Sequence, residues 1–215
     1  MTTTASSRST SLKWVGAFVD ERVRKIQHGY LNDHSDAVAT LAKLRRGAGK
    51  PLGDVPELWG LTIDDDFYRN APRGDERALR GAENAAHIAL TLYAAHQQSR
   101  RDARMHQPGR DLGGAVRRLM PPGDIDEPTR KRFVQVGAAT NMGTLAYRLR
   151  EIVVLLRRDS VPLDYGLLAD QLTTAQRPGG MKEVRAAWGR GFHAHRPRTA
   201  ENPDPGPDTT DKDAS

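Results

Sequence analysis

Between residues 75 and 98 the inward side of the chain is built largely of alanine: Ala78, Ala82, Ala85 and Ala89, followed by Leu92 and Tyr93. Steps of three and four residues put these side chains on one face of a helix. Alanine is the strongest helix former and lets neighbouring helices approach closely. A helix of this kind belongs at the centre of an all-helical body. The flanking sequence keeps the same period. Val15, Val19, Val23, Ile26 and Tyr30 predict a helix over about 10–30, and Val38, Leu41 and Leu44 a second that starts near Ser35 or Asp36 and stops at Gly47. A Gly/Pro-rich connection over 47–56 leads to a short segment around Leu58–Trp59.

Beyond the alanine-rich helix, the polar residues 99–109 form the longest internal loop. A short helix over 112–120 ends at Pro121-Pro122, and another runs from the start signal at Pro128 to about 139. Leu145, Leu149, Val153 and Leu156 mark a helix that ends near Asp159, and two more cover about 162–173 and 182–195. No alternating strand pattern and no internal repeat is present. The expected fold is all-α: a compact helical bundle over 12–196, or two small subdomains (about 12–98 and 112–196) sharing a core. The Thr/Ser-rich residues 1–11 and the acidic, Pro-rich residues 197–215 are expected to be disordered.

The chain carries 33 Lys+Arg against 27 Asp+Glu. Within 197–215 acidic residues outnumber basic ones, so the helical part is more basic than the net charge of +6 suggests. That balance favours a polyanionic partner. With no cysteine, disulfides, thiolate nucleophiles and Cys-ligated metal centres are excluded. The opening residues lack the apolar stretch of a secretory signal, and no run is long enough for a membrane span. A cytoplasmic location is the expectation.

Several motifs invite a chemical reading that their details oppose. Gly47-Ala48-Gly49-Lys50 suggests a phosphate loop, but Leu44 stands where the leading glycine belongs and Pro51 replaces the metal-binding hydroxyl. A helix end followed by a basic loop accounts for it better. Asp64-Asp65-Asp66 reads as a solvated turn, because three consecutive carboxylates cannot all face one ion. His193-x-His195 falls at a helix end without a third ligand nearby. His96 and His106 flank the polar loop, and no nucleophile elbow or nuclease signature accompanies them. Neither a catalytic residue nor a metal or other cofactor is expected.

The arginines are distinctive. Arg45-Arg46, Arg100-Arg101, Arg117-Arg118 and Arg157-Arg158 fall at predicted helix C-termini. One cation there complements the helix dipole by roughly 0.3–1 kcal/mol; the second of each pair is surplus to that role. Arg130-Lys131-Arg132 and Arg148/Arg150 add to a candidate phosphate-contacting face.

The order of these motifs carries a resemblance. Leu41-Ala42-Lys43-Leu44-Arg45-Arg46-Gly47, then Gly49-Lys50-Pro51 and Pro56-Glu57-Leu58-Trp59, resembles the N-terminal part of the CasB family, the small subunit of the type I-E CRISPR Cascade complex. His96-Gln97, His106, Gly109, Leu112-Gly113, Arg117-Arg118-Leu119 and Arg132-Phe133 follow in the family's order. Leu149-Arg150, Val161-Pro162-Leu163-Asp164-Tyr165, Trp188 and Phe192 complete a match over about 12–196. Gly114 departs from the family where a basic residue is common, leaving Arg110 or Arg117 to substitute, and Thr173-Thr174 lacks a frequent tryptophan.

The resemblance implies a role without chemistry. Two copies of the small subunit lie beside the large subunit and the crRNA-bearing backbone subunits, hold target DNA and crRNA by backbone contacts, and stabilise the R-loop. On this reading Arg45, Arg46 and Lys50 lead the nucleic-acid contacts, supported by Arg110, Arg117, Arg118, Arg132, Arg150 and Arg157. The 6% aromatic content argues against base stacking as the main source of affinity. The alternatives are a free-standing DNA- or RNA-binding regulator, and a metal-dependent nuclease built on Asp64 or on His193 and His195.

Overall fold

The structure is a computed structural model and describes residues 11–194. The segments expected to be disordered, 1–11 and 197–215, lie outside the described residues apart from Ser11, as does His195. Among the described residues ten α-helices follow in order: α1 (Trp14–Leu31), α2 (Ser35–Leu44), α3 (Trp59–Thr62), α4 (Asp65–Arg69), α5 (Glu76–Gln97), α6 (Leu112–Arg118), α7 (Glu127–Gly137), α8 (Met142–Arg158), α9 (Tyr165–Ala175) and α10 (Gly180–Ala194). Three single 3₁₀ turns, Arg45–Gly47, Leu52–Asp54 and Pro56–Leu58, connect α2 to α3. Among the described residues there is no strand, only an isolated parallel bridge between His106 and Leu163. The all-α expectation is met. No helix of the described residues is long and apolar enough to cross a membrane.

Most helix starts are written in local chemistry. Asp64, Asp75, Asp111, Asp126, Asn141 and Asp164 each stand at an N-cap and accept a hydrogen bond from the amide three residues on. Each such cap is worth about 1 kcal/mol. Helix α1 is different, because Lys13 at its N-cap offers no acceptor. Asp170 of α9 supplies it instead, accepting from Lys13 N at 2.6 Å and Gly16 N at 2.8 Å.

The alanine-rich helix α5 occupies the centre, in contact with α1, α2, α8 and α9. Fifteen of its residues, from Ala82 to Gln97, are buried. Helix α9 packs on both α1 and α5, so the two halves of the chain share one buried cluster that runs from Val15 to Phe192. At the far end α6 lies on α10. A Cβ on Gly113 would overlap the Trp188 carbonyl oxygen and come within 2.6 Å of Phe192 N.

Two segments differ from the sequence expectation. Asp64–Asp66, expected as a solvated turn, are the cap and first turn of α4, with Asp65 and Asp66 exposed as expected and Phe67 fully buried behind them. The polar loop after α5 is pinned, with Met105 and His106 buried in it. Its backbone groups are satisfied by two glutamines. Gln27 exchanges hydrogen bonds with both backbone groups of His106, and Gln97 accepts from Met105 N while donating to Ala103 O.

Candidate nucleic-acid interface

Helix α2 runs out at Leu44 and tightens into the 3₁₀ turn Arg45–Gly47. The turn is wedged against α5. A Cβ on Gly47 would meet Leu58 Cδ1 at 2.7 Å, Thr91 Cγ2 at 2.9 Å and His87 Cε1 at 3.2 Å. Ala48 is buried beside it, so Arg45, Arg46 and Lys50 are left pointing into water. Gly49 has φ +83°, a conformation open to glycine, and its missing side chain leaves room for the stem of Arg150. A Cβ on Gly49 would lie 2.8 Å from Arg150 Cδ. Helix α8 thereby delivers a fourth exposed cation to a corner made by residues a hundred positions earlier. Among the described residues, none of the four has an ion pair or a side-chain hydrogen bond.

Beneath the corner lies His87, fully buried, with Nδ1 3.3 Å from the Thr62 hydroxyl and Nε2 without a hydrogen-bond partner among the described residues. Burial lowers its pKa to about 4, opposed by the nearby Lys50 carbonyl. The floor of the corner is therefore neutral imidazole. Nothing in the sequence marked this residue; an isolated histidine in an alanine-rich helix has no spacing signature.

Arg110 and Arg118 form a second grouping. They line a cleft of about 190 Å³ together with Gly109, Asp111, Gly114 and Gly191. Burial and the adjacent Arg110 charge lower the pKa of Arg118, with Asp111 opposing them. Gly114, where the resemblance leads one to expect a basic residue, opens this cleft, and Arg110 stands beside it. Arg117 turns away and donates to the Pro121 carbonyl at 3.1 Å.

A family model described as CRISPR-associated protein Cse2 matches residues 40–193. The chain belongs to the Cse2 (CasB) family. The crystal structure of CasB from Thermobifida fusca is similar to it at 66% identity, covering 85% of this chain and 99% of that one, with a TM-score of 0.79. No protein of curated function matches the chain in sequence. The resemblance carried by Leu41–Gly47 and the motifs after it is thus a family relationship.

The remaining candidates of this Cse2 chain do not join either grouping. Arg132 is exposed near Asp126, whose pKa is lowered mainly by hydrogen bonds from Thr129, with Arg132 and Arg158 adding to it. Arg157 donates to Gln98 Oε1 at 2.8 Å and to the Ala95 carbonyl at 3.4 Å, closing the end of α5. Arg100 returns the contact, donating to the Arg157 and Arg158 carbonyls at 3.0 and 2.8 Å. The two arginines clasp the C-termini of α5 and α8, as the helix-end argument anticipates for one cation of each pair.

Asp64, Asp66 and His106 are likewise committed within the protein, while Asp65 and His193 are exposed and have no side-chain hydrogen-bond partner among the described residues. Asp64 pairs with Arg22 at 2.6 Å, and Asp66 pairs with Arg69. Asp20, His106 and Asp164 bring ligand atoms within 4.8 Å of one another, a juxtaposition the sequence hid because it joins three distant segments. His106 Nδ1 accepts from Tyr165 N at 3.1 Å, which places the ring proton on Nε2, 2.9 Å from Asp20 Oδ1. Burial depresses the His106 pKa against the pull of Asp164 and Asp20. Asp164 accepts from Gly109 N and Leu167 N. The cluster is saturated by protein donors and staples the polar loop to α1 and α9.

Proposed function

We propose that this chain is the non-catalytic small subunit of a crRNA-guided Cascade complex and stabilises the target-DNA R-loop by holding nucleic-acid backbone. Membership of the CRISPR-associated Cse2 family supports its place in Cascade. The observation that carries the backbone contact is the convergence of Arg45, Arg46, Lys50 and Arg150 on one exposed corner, without acidic partners among the described residues. Guanidinium forks suit phosphate because they bind it bidentately. Backbone contacts of this kind need no base recognition. R-loop formation exchanges one duplex for another of similar stability, so a few such contacts can tip it. Arg110 and Arg118 make a second contact in this reading, with Arg117 and Arg132 in support. Arg157 serves the α5–α8 clasp. The large subunit, the crRNA-bearing backbone subunits and a second copy of this chain are its partners.

The test is charge reversal at Arg45 and Arg46 in the assembled complex with crRNA. Target DNA should dissociate at least tenfold faster, while circular dichroism and co-purification of the subunits stay unchanged. The slope of log affinity against log salt should flatten by roughly 0.7–0.9 for each phosphate no longer neutralised. Retention equal to the unmodified complex at physiological salt would overturn the assignment. Tight, sequence-selective binding by the isolated chain would favour a free-standing regulator instead.

A further inference from the structure

Trp59 and Tyr68 have no part in the backbone contacts just described, yet they are 43% and 40% exposed. They are also held in place. The Tyr68 hydroxyl donates to Glu83 Oε1 at 2.9 Å, and the Trp59 indole lies beside the same hydroxyl. The Tyr68 ring stands edge-on to Phe67, with centroids 5.6 Å apart. Phe67 is fully buried and packs against Trp14 at 4.9 Å and Phe18 at 5.1 Å. Two aromatic side chains are thus fixed from below with much of their surface left in water.

Their position relative to the basic corner is set by α5. Glu83 and His87 are neighbours one turn apart on that helix, so they share a face. Glu83 carries Tyr68, while His87 lies under Gly47 and faces the Thr62 hydroxyl. Leu58, the residue before Trp59, is the side chain that packs against Gly47. The aromatic pair and the four cations therefore occupy adjoining parts of one surface. Exposed Glu57 next to Trp59 opposes a polyanion here, so attraction at this spot has to come from the rings rather than from charge.

We infer that Trp59 and Tyr68 form a stacking platform for an unpaired nucleobase of a single-stranded segment whose phosphates lie along Arg45, Arg46, Lys50 and Arg150. The inference rests on the reading of that corner as a backbone contact. It is compatible with the low aromatic content, since one platform supplements the charges rather than replacing them. Stacking on aromatic side chains tolerates any base, which suits a subunit that must accept every target sequence.

The experiment compares an oligothymidylate with an abasic sugar-phosphate oligomer of the same length, binding to the full chain at low salt. Anisotropy of a dye on the oligomer measures affinity for every variant. Quenching of tryptophan emission in the unmodified chain reports on Trp59, the exposed ring, since Trp188 is 2% exposed and Trp14 is packed against Phe67. The base-bearing oligomer should quench the emission and bind roughly tenfold more tightly than the abasic one. Trp59→Ala and Tyr68→Ala should shrink that preference and leave abasic binding unchanged, while Trp59→Phe retains most of it. Charge reversal at Arg45 and Arg46 should weaken both oligomers alike. Equal affinity for the two oligomers would overturn the platform and leave the basic corner standing. Failure of both to bind would remove the corner and the platform together. If Trp59→Ala keeps the preference but loses co-purification with the other Cascade subunits, the pair is a protein contact and the inference fails.

Discussion

Acidification from pH 7.5 to 5.0 should destabilise the protein well before its carboxylates titrate. His87 and His96 are fully buried, and burial lowers their pKa values to about 4 and about 3. An unfolded histidine titrates near 6.5. Both groups are neutral in the folded state at pH 5, whereas the unfolded chain takes up a proton at each. Stability is thus fully present above pH 6.5 and drains away as the pH falls toward the folded pKa values. At pH 5 the solution is about 1.5 units below the unfolded pKa, equivalent to about 2 kcal/mol for each group. The pair together costs about 4 kcal/mol, with His106 shifted in the same direction. The depressed carboxylates Asp64, Asp126 and Asp159 lose their contributions only at lower pH, and Asp170, raised by burial, works the other way. For a domain of this size such a loss lowers Tm by about 10 °C. Melting followed by circular dichroism at constant ionic strength measures it. His87→Leu should remove roughly half of the pH dependence whatever it does to absolute stability. A Tm that moves by less than about 2 °C between the two pH values would refute the reasoning.

Two comparisons separate structural arginines and glycines from the rest. Arg157→Ala should cost about 1–2 kcal/mol in urea unfolding, because it strips the end of α5 of its donor, whereas Arg150→Ala should leave stability within about 0.5 kcal/mol and weaken DNA retention by the complex. Gly113→Ala should destabilise by about 2 kcal/mol or more, since its Cβ meets the backbone of α10, while Gly53→Ala, with open space around it, should be nearly neutral.

The helices were legible because their signals are local. Alanine spacing placed α5, and the Asp and Asn caps mark starts that a reader of the chain can find unaided. Helix α4 escaped because it is five residues long and owes its existence to Phe67 sinking into an aromatic cluster with Trp14 and Phe18. The basic corner was half legible. Arg45, Arg46 and Lys50 stand together in the chain, but only the fold brings Arg150 over Gly49. The same long-range geometry gives Arg157 a role in closing the end of α5 that its place in the sequence does not show. The Asp20–His106–Asp164 staple had no spacing signature because it joins α1, the polar loop and the start of α9, and the Trp59–Tyr68 pair had none because its anchor, Glu83, stands on α5.

The remote cap on α1 bears on the order in which the chain acquires structure. Asp170 reaches back across more than 150 positions to finish a helix that begins at Trp14. On a ribosome, α1 would wait with its leading amides capped only by water until α9 had been synthesised. The segments around Trp14 and Asp170 would then be committed together, and a nascent fragment that stops after α5 would expose a half-finished nucleus rather than a folded half.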